Sequence, residues 1–329
     1  MGSKLEEMLE LELVTGDGKV SSKYESDLLG AGDLLMEEGK PIRIRSRTSE
    51  NFGIPREAEE SMAGKDCFNY VVIAQCLGAA QKTVPDGFSV HSMTCYFLLA
   101  GDNQIPLEYS VQRVRDGQSF VTRTVVANQN GNSICTSTLS FSRHGSAGEE
   151  PLRHASTAPS GILPPPDINV DAMCISLGAP QTSPVGIEGK EGSPEQQHIR
   201  SWIRAPAKIL NAGSQNEVHQ MILGFLSDWI FLPGVPLAHG LWKFPDAILS
   251  NTTSSPLDGS DIGMMATLSH TIIIHEPLLI RADEWILFEI ETPWSGEGRG
   301  LVNGKIFARD GTLLASCFQE VFPPLFFNE

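Results

Sequence analysis

The chain has 329 residues, enough for two domains of ordinary size, with 41% hydrophobic and 19% charged residues, a soluble globular composition. A net charge of −16 argues against nucleic acid or an anionic membrane surface as a partner, because both need a surplus of Lys and Arg. No apolar run reaches the roughly 18 residues that span a bilayer.

The N-terminus opens on acidic residues instead of the apolar core of a signal peptide. The six cysteines (Cys67, Cys76, Cys95, Cys135, Cys174 and Cys317) never form CxxC, so reduced thiols are expected and no zinc site can be built from their spacing. A cytoplasmic location is expected. A peroxisomal one stays open, although Phe327-Asn328-Glu329 is not a targeting tripeptide.

In chain order, polar residues 39–65 read as a loop. Tyr70 to Lys82 reads as a helix stopped by Pro85 and Gly87, and from Val71 onward it is apolar almost all round, as a buried helix is. Strands are expected over Ser89–Leu98, Leu107–Arg115, Ser119–Asn128 and Ser133–Ser142. Residues 145–197 are rich in Pro, Gly, Ser and Glu and lack apolar periodicity, so a long linker is expected there. The spacing then predicts a helix over Gln215 to Ser227, opened by a capping box, Ser214-x-x-Glu217. Strands follow over Met265–His275, Trp285–Thr292, Gly300–Arg309 and Thr312–Val321.

The two halves align at an offset near 180 residues. Val90-His91-Ser92 matches Ser269-His270-Thr271, and Asn130-Gly131 matches Asp310-Gly311, both dipeptides reading as type I′ hairpin turns. A helix followed by an antiparallel meander, twice, defines an α+β chain of two hot-dog units: a first unit over 1–144, a linker over 145–198 and a second unit over 199–329.

The first half carries Val90-His91-Ser92, Tyr96-Phe97-Leu98, Gly101-Asp102, Arg115-Asp116-Gly117-x-Ser119-Phe120, Arg123 and Gln129-Asn130-Gly131. The second carries Ser227-Asp228, Phe231-Leu232-Pro233, His239-Gly240, Ala266-Thr267, Ser269-His270, His275-x-Pro277, Arg299-Gly300 and Ala315-Ser316-x-x-Gln319-Glu320. In this order they resemble the two hot-dogs of type II acyl-CoA thioesterases. The resemblance implies a double hot-dog, no cofactor, no metal, an acyl thioester substrate on CoA or a carrier protein, and a homo-oligomer. It places the hydrolytic residues on Asp228, Thr267 and Gln319, with Ser269, His270, Arg299 and Tyr70 as substrate contacts.

Those residue types suit the chemistry. An Asp can accept a proton from an attacking water, while Thr and Gln hold that water without competing for the proton. Leu313, Ala315, Cys317, Gln319 and Val321 share one strand face, on which Gln319 is the one strongly polar side chain; Thr267, Ser269 and Thr271 are expected to share a polar face. His91 and His270 read as packing histidines. His270 and His275, five apart on a strand, point to opposite faces and do not share a metal.

The sequence departs from the resemblance in places. The first helix opens Phe68-Asn69-Tyr70-Val71 where the family has Phe-Gly-Gly-Gln, Leu99-Ala100 stands for Arg-Pro, Thr94 for a His and Ser269 for an Asp. An alternative is therefore a double hot-dog repurposed as a non-hydrolytic cyclase, isomerase or acyl-binding module. GxSxG, GxGxxG and GxxxxGK[ST] are absent from the sequence.

Overall fold

The computed structural model describes residues 9–14, 42–46, 69–102, 105–146, 148, 152–166, 180–210, 213, 216–241 and 265–322. Among them run β1 (Leu11–Leu13), β2 (Ile42–Ser46), α1 (Asn69–Gln81), β3 (Phe88–Phe97), β4 (Glu108–Asp116), β5 (Phe120–Gln129) and β6 (Asn132–Arg143). The second half supplies β7 (Gln181–Glu188), β8 (His198–Arg204), α2 (Glu217–Phe231), α3 (Gly234–Ala238), β9 (Ala266–Ile274), β10 (Ile286–Gly296), β11 (Arg299–Phe307) and β12 (Leu313–Phe322).

The twelve described strands form one sheet in the order β1-β2-β4-β5-β6-β3-β9-β12-β11-β10-β8-β7. Read outward from the central β3–β9 pair, the order is the same on both sides: β3-β6-β5-β4-β2-β1 and β9-β12-β11-β10-β8-β7. The duplication legible in the sequence is thus a pseudo-two-fold fold, joined by antiparallel pairing from Ser92–Ile273 to Tyr96–Ser269.

Eleven consecutive α1 residues, Tyr70 to Ala80, are buried. The sheet covers α1 on one side, and α2 covers the other. The helices approach closely because glycine stands at the crossing: a Cβ on Gly78 would lie 2.4 Å from the Met221 methyl, and one on Gly224 would lie 3.3 Å from Ile73 Cγ2. The cover of so apolar a helix is a sheet plus its sister helix, not a sheet alone.

Several expectations change. The loop expected over 39–65 contains β2, whose Ile42-Arg43-Ile44 alternation pairs with β4. The linker expected over 145–198 contains β7, an edge strand whose Pro184 and Gly186 sit at a bulge, where a missing N–H and a missing side chain are tolerated. Those two residues made the segment read as a linker. Within the same stretch, Ala158 and Ile162 pack on Trp202, Trp285, Leu287 and Phe307.

Helix α2 runs to Phe231, beyond the expected Ser227, because Trp229-Ile230-Phe231 continues the buried face before Pro233 stops it. The expected capping-box residue Ser214 lies outside the described residues, and Asn216 precedes the helix at φ 65° with its side-chain N–H donated to the carbonyls of Pro277 and Ile280. The two hairpins also differ. Asn130 and Gly131 have φ of 49° and 79°, as type I′ requires. At Asp310-Gly311 only the glycine has positive φ, and the turn closes from Ala308 to Gly311, with the Asp310 carboxylate accepting the Thr312 N–H.

Candidate active site

The last turn of α2 and the adjacent ends of β9 and β12 bring Asp228, Thr267 and Gln319 together. Thr267 Oγ1 donates to Asp228 Oδ1 at 2.7 Å. Gln319 Nε2 donates to the same oxygen at 2.9 Å and to Thr267 Oγ1 at 2.8 Å. Asp228 and Gln319 are fully buried and Thr267 is 1% exposed. Among the described residues, Asp228 Oδ2 is buried and has no hydrogen-bond partner. Burial pushes the Asp228 carboxyl up to about 6, opposed by the bonds from Thr267 and Gln319.

A β-bulge makes this arrangement. Along β12, Gln319 pairs with His270 and Glu320 with Ser269, but Val321 pairs with Thr267, so Leu268 is an extra residue on β9. In a regular strand, residues three apart face opposite ways; the bulge turns Thr267 and His270 to the same buried face. This corrects the expected polar face of Thr267, Ser269 and Thr271: Thr267 points inward, and the other two are half-buried on the opposite side. An equivalent bulge at His91 pairs Val90 with Phe141 and Met93 with Leu139. Val90, Met93 and Leu139 are therefore the first unit's counterparts of Thr267, His270 and Gln319, and the sequence match of His91 to His270 is off by two residues. Those three positions are apolar in the first unit and polar in the second, although the buried Arg123 of β5 stands beside Leu139.

His270 is fully buried behind Gln319, with Nδ1 3.0 Å from Gln319 Oε1 and Nε2 3.0 Å from Ser227 Oγ. Burial lowers its pKa to about 4, so the ring is neutral. It joins a hydrogen-bond network instead of filling apolar space. Ser227 and Cys317, which sequence reasoning did not single out, complete that network; the signal available for them was the need of a buried Gln319 amide for partners.

Tyr70, at the start of α1, packs edge-on against Phe225 at 4.6 Å and Trp229 at 5.2 Å between ring centroids, next to Asp228 on α2. Its ring packs between the two helices at a position where the resemblance has a glycine. The structure does not bring Ser269 and Arg299 to Asp228. Ser269 pairs across the strands with Glu320 and with the exposed Tyr96, and Arg299 reaches Glu320 at 2.8 Å on that outer face. Among the described residues, His198, Glu289 and Glu291 bring ligand-type atoms within 4.8 Å of one another, but Arg200 Nε lies 2.7 Å from Glu289 and opposes a cation there.

Two helices against a continuous pseudo-two-fold sheet, with a buried carboxylate held by a Thr and a Gln in one half, define a double hot-dog protein. Sequence comparison carries the assignment further. The chain matches a family model of the acyl-CoA thioesterase N-terminal domain over residues 65–142 and one of the C-terminal domain over residues 170–322. It is 31% identical to human acyl-coenzyme A thioesterase 8, over 78% of this chain and 80% of that one. It is 28% identical to acyl-CoA thioesterase 2 of Haemophilus influenzae, over 80% and 90%. The crystal structure of acyl-CoA thioesterase II TesB2 from Mycobacterium marinum superposes with a TM-score of 0.65 at 24% identity, covering 99% of this chain and 98% of that one. The chain belongs to the type II acyl-CoA thioesterase family, and it is a thioester hydrolase.

Proposed function

We propose that this chain hydrolyses acyl-CoA thioesters by direct attack of a water on the thioester carbonyl, with Asp228 as the general base. The observation that carries this reading is the asymmetry of the Asp228 carboxylate. Oδ1 is saturated by Thr267 and Gln319, whereas the buried Oδ2 has no partner among the described residues and is the atom able to take a proton. A carboxyl with a pKa of about 6 is ionised at neutral pH yet more basic than an exposed Asp.

In the step that follows, the water oxygen bonds to the carbonyl carbon while Asp228 takes its proton. The tetrahedral intermediate collapses with cleavage of the C–S bond, the thiolate regains a proton, and a carboxylic acid is left. Thr267 and Gln319 fix the carboxylate and the direction of the water, a contribution of orientation. Tyr70, packed beside Trp229, is proposed to border the acyl path. A carrier-protein thioester is a second substrate form compatible with this chemistry. The alternative of a non-hydrolytic module has no observation in its favour.

Self-association into at least a dimer is also proposed; the exposure of Tyr96 and Phe318 on the outer sheet face supports it, and sedimentation tests it. The activity is tested by thiol release from a series of acyl-CoA chain lengths. Wild type is expected to release thiol and Asp228→Asn to lose most turnover while remaining folded; full turnover in that variant would refute the base assignment.

A further inference from the structure

A glutamine amide is nearly symmetric in shape, so nothing in its own structure decides which end meets Asp228. If it flips, Oε1 faces the Asp228 carboxylate and both hydrogen bonds from Nε2 are lost. The far end of the amide reinforces that preference. There, Gln319 Oε1 is an acceptor only, 3.0 Å from His270 Nδ1, so Nδ1 must carry the single hydrogen of the neutral ring. The other ring nitrogen, Nε2, lies 3.0 Å from Ser227 Oγ and 3.4 Å from Cys317 Sγ, a thiol that can donate to it. The Gln319 side of the imidazole thus fixes the tautomer, because the Ser227 hydroxyl hydrogen is directed to the Gly224 carbonyl and leaves the Cys317 thiol as the donor toward Nε2.

The first unit supplies an internal control. Its counterparts of Gln319 and Thr267 are Leu139 and Val90, and its counterpart of His270 is Met93. The same strand position accepts an apolar side chain when no amide needs orienting. The fold does not demand a histidine there; the polar cluster does.

We propose that His270 is a positioning residue: by donating Nδ1–H to Gln319 Oε1 it holds the amide with Nε2 toward Asp228 and Thr267, and so holds the carboxylate ready for water. The inference rests on the hydrolytic reading above. The spacing of Ser227, His270 and Gln319 also has the form of a nucleophile–base–orienter line. However, Ser227 Oγ lies 2.8 Å from the Gly224 carbonyl within its own helix, as a serine bonded back to its helix does.

The experiment compares His270→Asn, His270→Gln and His270→Leu, each checked for folding by thermal melting, in a thiol-release assay over pH 5 to 8 with Asp228→Asn alongside. An Asn amide N–H reaches the place of Nδ1–H, whereas a Gln amide reaches the place of Nε2. The expectation is that His270→Asn keeps near-normal kcat, while Gln and Leu lower kcat by about 10²-fold with little change in KM, as a small misplacement of a reacting group does. In those two variants the acid limb of the profile moves above its wild-type position near pH 6, because the Gln319 bond that lowers the Asp228 pKa is lost. The titratable side chains coupled to Asp228 from neighbouring strands are the thiols of Cys135 and Cys317, both raised well above the ordinary thiol value and so neutral throughout. Equal kcat in His270→Asn and His270→Gln would overturn the proposal, as would an acyl-enzyme that accumulates on wild type and disappears in Ser227→Ala. If Asp228→Asn is inactive while all three His270 variants behave as wild type, only this inference fails; if Asp228→Asn is active, the hydrolytic reading fails with it.

Discussion

Replacing Asp228 with Asn should destroy activity and stabilise the fold, with the stabilisation confined to neutral and alkaline pH. The carboxyl pKa rises from 3.8 to about 6 on burial. At 1.36 kcal/mol per unit, ionised Asp228 costs the folded state about 3 kcal/mol relative to its protonated form. The sign follows from proton binding. Between about pH 4 and 6 the folded chain keeps a proton that the unfolded chain has lost, so this group's contribution to stability is full below pH 4 and is lost as pH rises to about 6. Asn removes the charge but leaves an amide N–H where Oδ2 lacked a partner, which returns roughly 1–3 kcal/mol of the gain. The net expectation is that Asp228→Asn is more stable than wild type by about 0–2 kcal/mol at pH 8, and less stable than wild type at pH 4. Urea denaturation at both pH values measures the difference; contributions from all other carboxylates cancel between variant and parent. Turnover of the same samples should fall by about 10²–10⁴-fold. A variant destabilised equally at pH 8 and pH 4 would show that Asp228 is a structural carboxylate, and the reasoning from its burial would be wrong.

For the wild-type protein, kcat/KM should rise about tenfold per pH unit below pH 6 and level off above it, since the base must be ionised; a profile flat to pH 5 would exclude as the base a carboxylate that burial raises to about 6. Arg123 is fully buried and donates to Thr83 Oγ1, the Thr83 carbonyl just past the end of α1, and Asp116. Arg123→Met should lower stability by about 3 kcal/mol, and an unchanged melting temperature would refute the role. At Gly304, a Cβ would lie 2.2 Å from the Phe231 ring and 3.2 Å from the Glu289 carbonyl. Gly304→Ala should therefore cost about 2 kcal/mol in a thermal melt, and an unshifted melt would contradict that packing.

The strands with strong apolar alternation were legible to within a residue or two at most of their ends, β3, β5 and β12 among them, because a half-buried strand writes its period of two into the sequence. β7 was not, since an edge strand carrying Pro184 and Gly186 looks like a linker. The expected end of α2 at Ser227 falls short of Phe231; in the fold Ser227 and Asp228 are both buried, with polar atoms turned to β9. Asp228, Thr267 and Gln319 were found from resemblance and from a lone polar residue in an apolar stripe. The face of Thr267 was misjudged because a bulge leaves no mark in residue type: Leu268 looks like any strand residue. His270 was read as packing or as a substrate contact for a related reason. A histidine on an apolar strand declares its partners only when the neighbouring strand is in register beside it.

The duplication also explains how such a site is sustained. A buried ionised carboxylate and four further polar side chains (Thr267, Gln319, His270 and Ser227) make a costly cluster in an apolar interior. The first unit spends the same positions on Val90, Met93 and Leu139, all buried, and so keeps a continuous core under α1. The two units share one sheet through β3 and β9, and their helices pack against each other. The apolar half therefore supports the polar half directly: Cys95 of β3 bonds the backbone carbonyl of His270. A symmetric chain with two such clusters would carry the desolvation cost twice across that shared seam. Apolar residues at the three equivalent positions of the first unit avoid that second cost, and the sheet pairing through β3 and β9 holds the remaining cluster in place.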